Sequence, residues 1–134
     1  MTLFEECIQA LDNKVEIFTL EETTRIFDEL VNTFPVTSWG RIDWEKITTA
    51  IRISNLSEIE ALLENHFNTD LNTDVILLWN YSSSPAVKTD LSQVIQVIDD
   101  VTAVGSDTWI FSPTQRYVIE FFHEGEVILG INQI

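Results

Sequence analysis

Cysteine occurs once in this 134-residue chain, at Cys7, so no disulfide can form within it. Basic residues are scarce: seven Lys and Arg stand against 22 Asp and Glu, for a net charge of −15. After Arg52 only Lys88 and Arg116 are basic. That scarcity removes the cationic patch by which a protein holds nucleic acid or an anionic membrane surface. The four glycines are isolated, so there is no phosphate-cradling loop, no GxGxxG fingerprint and no GxSxG elbow. Two histidines, His66 and His123, fall in no zinc-type spacing with the lone cysteine. No apolar run approaches the ~20 residues that span a bilayer. The opening Met1-Thr2-Leu3-Phe4-Glu5-Glu6 has neither the basic start nor the apolar core of a secretory signal, and a cytoplasmic location is expected.

What is present suits one globular domain over residues 1–134, with 45% hydrophobic residues to build a core. Cys7 sits in an amphipathic stretch and reads as core rather than as a reactive thiol. The first half is helical in pattern. Thr2 and Glu5 form a capping-box pair, and Leu3, Phe4, Cys7, Ile8 and Leu11 recur at helical spacing. Asp12-Asn13 ends that helix, and a short extended piece covers Val15 to Phe18. Thr19 and Glu22 repeat the capping pair ahead of Ile26, Phe27, Leu30, Val31 and Phe34, with Pro35 as the stop. Trp39 and Trp44 flank Gly40; they offer a stacking platform in principle, but in so acidic a chain they read as core. Trp44 to Arg52 looks like a short helix, with Trp44, Ile47 and Ile51 inward. Ser57-Glu58-Ile59-Glu60 opens another helix through Asn65 or His66.

The second half changes character. Asp74 to Tyr81 is continuously apolar and reads as a central strand buried on both faces. Ser82-Ser83-Ser84-Pro85 marks an exposed turn. Asp90 starts a helix with Leu91, Val94, Ile95 and Ile98 as its stripe and Asp99/Asp100 at its end, where carboxylates oppose the helix dipole. Trp109–Phe111, Tyr117–Phe122 and Val127–Ile131 form an antiparallel meander, with Gly125 free to take the positive φ of a tight turn. The fold class expected is α+β: a helical N-terminal half packed on a four- to five-stranded, mainly antiparallel sheet in the C-terminal half. Glu120 is the odd member of its strand, a carboxylate among apolar neighbours.

Chemistry is sparse. Glu120, His123 and Glu124 could form an acid–base or metal cluster at a turn, and this is the one grouping that offers an enzyme. The more ordinary reading of His123 is a solvated turn histidine. No cofactor or metal is expected, and the chain reads as a non-enzyme.

The run Ile98-Asp99-Asp100-Val101-Thr102-Ala103-Val104, then Asp107-Thr108-Trp109 and Tyr117 to Glu126, resembles immunity proteins of bacterial polymorphic toxin systems, above all those of contact-dependent growth inhibition. The likeness covers about the last 60 residues, from near Trp79. It implies a cytoplasmic binding protein that neutralises a cognate toxin domain, frequently a nuclease with a basic cleft. Such a partner suits the acidic composition. On this reading the expected contact face is Asp99, Asp100, Asp107, Glu120, His123, Glu124 and Glu126, in a 1:1 complex. A second patch comes from Asp28, Glu29 and the Trp39–Trp44 loop. A DNA-mimic inhibitor is the other reading that fits the charge; it requires acids spaced along a long face.

Overall fold

The computed structural model describes residues 1–80 and 84–132. Two N-terminal helices form where their capping boxes place them. In α1 (Leu3–Ala10) the Thr2 hydroxyl accepts from the Glu5 N–H at 3.1 Å, and the Glu5 carboxylate accepts from the Thr2 N–H at 3.0 Å. The same exchange between Thr19 and Glu22, at 3.1 and 2.8 Å, opens α2 (Leu20–Thr33). These bonds favour the charged carboxylates: the N–H and then the hydroxyl of each threonine hold Glu5 and Glu22 below the usual carboxylate range. Asp12 and Asn13, at φ 61° and 56°, terminate α1 in the left-handed region their short polar side chains tolerate.

Among the described residues seven strands make one wholly antiparallel sheet: β1 (Glu16–Ile17), β2 (Thr49–Arg52), β3 (Asp74–Trp79), β4 (Val87–Asp90), β5 (Thr108–Ser112), β6 (Tyr117–Phe121) and β7 (Val127–Ile131). Their order is β1-β4-β3-β5-β6-β7-β2. The α+β class holds, with more strands than expected. Two of the seven come from the N-terminal half and take the two edges, β1 on β4 and β2 on β7. The region read as a helix from Trp44 to Arg52 is a single 3-10 turn, Trp44–Lys46, followed by β2. Ile47 and Ile51 lie four apart, a spacing that serves a strand as well as a helix; the exposed Ala50 and Arg52 between more buried neighbours show the strand period.

Three further helices are α3 (Glu58–Phe67), α4 (Leu91–Gln96) and α5 (Ile98–Thr102). The helix expected from Asp90 onward breaks at Val97, so Asp99 and Asp100 stand in the first turn of α5, not at a helix C-terminus. Their charges therefore meet the favourable end of the dipole. Ser57 does not cap α3 through its side chain; Glu58 instead accepts from the Ser54 and Asn55 N–H groups at 2.9 and 2.7 Å. Leu3 and Val31, expected in apolar stripes, are exposed. Ser84 is buried; Ser82 and Ser83 lie outside the described residues.

The sheet is buried on both faces. On one, Cys7, Leu63, Val94 and Val101 from the helices, with Leu11 just past α1, pack with Leu77, Ile110, Ile119 and Leu129. On the other, Leu30 of α2, Phe34 just past its end and Ile42 pack with Leu78, Phe111 and Val118. Period-two alternation explains the split: Tyr117 and Ile119 serve the first core, Val118 and Glu120 the second. The Trp44 ring lies so close over Gly130 of β7 that a Cβ there would stand 2.5 Å from Trp44 Cζ3.

Candidate binding surface

Glu120 lies on the α2 face of β6 and is 1% exposed. Several kcal/mol are roughly what it costs to strip water from a carboxylate, unless donors replace that water. Here four do. Oε1 accepts from Arg41 Nε at 2.7 Å and from the Trp44 indole N–H at 3.0 Å. Oε2 accepts from the Ile42 N–H at 3.0 Å and from the Trp109 indole N–H at 3.1 Å. Arg41 continues the chain to Glu126 at 2.9 Å, and Glu126 also holds Arg52 at 2.7 Å. The Arg41 guanidinium lies 4.1 Å over the Phe122 ring. Burial acts to lower the Arg41 pKa, but the hydrogen bonds to Glu120 and Glu126 outweigh it and the net shift is upward.

This network fixes a tight turn. Val36 bridges Ile42, the Thr37 N–H and hydroxyl both donate to Arg41 O, and Gly40 takes φ +91°. At the tip stands Trp39, 75% exposed. Of the two tryptophans read as core, Trp44 is half-buried with its N–H on Glu120, and Trp39 is not core at all. The turn lifts it clear of both apolar clusters.

A second arrangement forms where β5 begins. Asp107 Oδ1 accepts from the His123 N–H at 2.7 Å and lies 3.0 Å from His123 Nδ1, while Oδ2 stands 3.4 Å from Asn80 Nδ2. Asp107 is buried and His123 is exposed. Thr102, the last residue of α5, and Ser106 beyond it line one hollow with His123 and Gly125 of the β6–β7 turn. Asp107 and His123 are thus joined at one end of the sheet. The Phe122 and His123 rings, 4.2 Å apart, link that end to Arg41 and its turn.

Of the seven residues expected to form a contact face, Asp99, Asp100, His123 and Glu124 are exposed and Glu126 is half-buried. Asp107 and Glu120 are buried and occupied by donors, so they position their neighbours. Glu120 faces Arg41 and two indoles, His123 faces Asp107, and among the described residues no three His, Cys, Asp or Glu side chains gather as a ligand set. The alternative grouping of Glu120, His123 and Glu124 does not gather as a ligand set among the described residues.

The arrangement holds polar groups for structure and leaves carboxylates and an indole outside. Residues 1–130 match the family model described as CdiI immunity protein EcoliA0-like. The chain belongs to the CdiI immunity proteins. No curated protein matches it. As a CdiI immunity protein it acts by binding and neutralising a cognate toxin protein. The family match extends the resemblance seen in the C-terminal residues across the N-terminal half, including the Trp39 turn and α2. Among the described residues, no helix of this CdiI protein is long and apolar enough to cross a membrane.

Proposed function

We propose that this CdiI immunity protein neutralises a nuclease toxin by covering its basic active-site cleft, as a 1:1 complex in the cytoplasm. The observation that carries this reading is the unbalanced surface. Six of the seven cationic side chains, Lys14, Arg25, Arg41, Lys46, Arg52 and Lys88, are already ion-paired with carboxylates. Exposed acids such as Asp28, Glu29, Asp99, Asp100 and Glu124 stand without a cationic partner among the described residues. Such a surface repels nucleic acid and anionic lipid and draws in a basic protein with a fast, salt-sensitive association. The contact set is Asp99, Asp100, His123 and Glu124, with Glu126 at its border. Asp107 and Glu120 act from behind, by fixing His123 and the Arg41 turn.

The test is to express the toxin C-terminal domain encoded immediately upstream, with and without this chain. Killing by the domain alone, rescue by the chain, and loss of nuclease activity that completes at one equivalent support the reading. Absence of rescue, or rescue with nuclease activity intact, overturns it.

A further inference from the structure

We propose that Trp39 and the groove beside it are the apolar anchor site for the toxin domain; this rests on the neutralisation reading and extends it to a second, contiguous patch. The groove holds about 430 Å³ between α2 and the Trp39 turn, lined by Leu20, Phe27, Val31, Gly40, Ile42 and Trp109. Its floor is core, yet its rim is left open: Leu20 is 59% and Val31 44% exposed, and Gly40 on its wall is the neighbour of Trp39. Scattered exposed apolar residues need no explanation, whereas two large ones lining one concavity, with exposed Trp39 next in sequence to its Gly40 wall, form a patch of the kind that marks an interaction site.

Trp39 is also preorganised. Its turn is closed by the Thr37–Arg41 bonds and tied to the sheet through Arg41 and Ile42 on Glu120. An indole presented on a rigid base loses little freedom when a partner covers it, which is the character of an interface hot spot. Two indole N–H groups, one backbone N–H and an arginine converge on one buried carboxylate, and what that arrangement holds in place is this exposed ring.

Charge selects the occupant. Asp28 stands one turn from Thr24 and Val31 on the groove side of α2, and Glu45 shares a hollow with Trp39 across the turn. Neither has a cationic partner among the described residues, whereas Asp43 and Glu21 are paired to Lys46 and Arg25. An apolar patch flanked by free carboxylates fits a basic protein surface that inserts an apolar side chain. A second copy of this chain would bring a further −15 against the same acids, which disfavours self-association.

The experiment measures binding of the purified full chain to the upstream-encoded toxin domain, for wild type, Trp39→Ala, Asp28→Lys/Glu45→Lys, and Leu3→Ser on the opposite helical layer. Unfolding midpoints and sedimentation of each are recorded alongside. The expected result is a Kd raised at least ~30-fold by Trp39→Ala, a slower association for the double charge reversal, and no change for Leu3→Ser, all with unchanged folding. Wild-type binding matched by both Trp39→Ala and the charge reversal overturns the anchor site while leaving neutralisation standing. A concentration-dependent dimer of the wild type that Trp39→Ala abolishes assigns the patch to self-association and overturns it too. Wild-type chain that neither binds nor rescues overturns the neutralisation reading, and the anchor site with it.

Discussion

Arg41 Nε stands 2.7 Å from Glu120 Oε1 although 79 positions separate the two residues, and the carboxylate it meets is 1% exposed. That pair joins the exposed turn to the middle of the sheet. A buried ion pair of this kind is poor evidence of net stability, because an apolar replacement often does as well, but breaking one member leaves an unmatched group in the interior. Glu120→Gln keeps the size and turns one acceptor into a donor facing N–H groups. The expected cost is about 3 kcal/mol, read as a shift in urea midpoint followed by tryptophan fluorescence. A loss under ~1 kcal/mol would show that the carboxylate does not hold the turn.

The capping boxes set an acid dependence. Glu5 and Glu22 have lowered pKa values in the folded chain, through the Thr2 and Thr19 N–H groups first and their hydroxyls second. Their contribution is therefore present above the unfolded value of about 4.3 and fades as pH falls through the folded value. Thr19→Ala is expected to cost about 1 kcal/mol at neutral pH, and Glu22→Gln to flatten the decline in Tm between about pH 5 and pH 3. A Glu22→Gln profile that still tracks wild type would reject the linkage.

Cys7 is fully buried, and burial pushes its thiol pKa up to about 12, with Asp100 adding a smaller push. The unfolded thiol ionises near 8.5, so stability is full below that value and declines as pH rises toward 12. Thiol reagents at pH 8 are expected to modify Cys7 only at the rate of chain opening, and Cys7→Val to remove its share of the alkaline loss. Immediate stoichiometric labelling of the native chain would contradict the burial.

Gly130 is small because Trp44 lies on it. A Cβ would meet Trp44 Cζ3 at 2.5 Å and Phe34 Cε1 at 3.5 Å. Trp44 cannot yield freely, since its indole N–H is engaged by Glu120 at 3.0 Å. Gly130→Ala is expected to destabilise the fold by about 1–3 kcal/mol and to alter the Trp44 emission. A variant with unchanged stability and spectrum would mean that the ring moves aside without cost.

Much of this architecture could be read from residues close in sequence. Thr2/Glu5 and Thr19/Glu22 announce their helices, and the alternation in Tyr117 to Phe122 gives a strand covered on both faces. Short elements were legible only in part: Val15 to Phe18 reads as extended, but the two residues of β1 carry no period that assigns them to the sheet, and Ile47/Ile51 satisfy helix and strand alike. The Val97 break was hidden because Leu91, Val94, Ile95 and Ile98 keep helical spacing straight across it. Glu120 stood out as a carboxylate in an apolar strand, but its partners Arg41, Trp44 and Trp109 come from elements that only the folded sheet brings together. For the same reason Trp39 and Trp44 could not be separated into exposed and half-buried. The one local signal was Gly40 beside Trp39, a residue that allows the turn's positive φ.

Hydrogen exchange of the chain, free and bound to its cognate toxin domain, tests the proposed face most directly. New protection is expected in residues 37–42, 98–107 and 121–126, with the C-terminal end of α3 and the 112–116 turn, at the opposite end of the sheet, unchanged. Protection confined to the C-terminal end of α3 and residues 112–116, with 37–42 and 121–126 exchanging as in the free chain, would place the toxin on the other end of the molecule and contradict it.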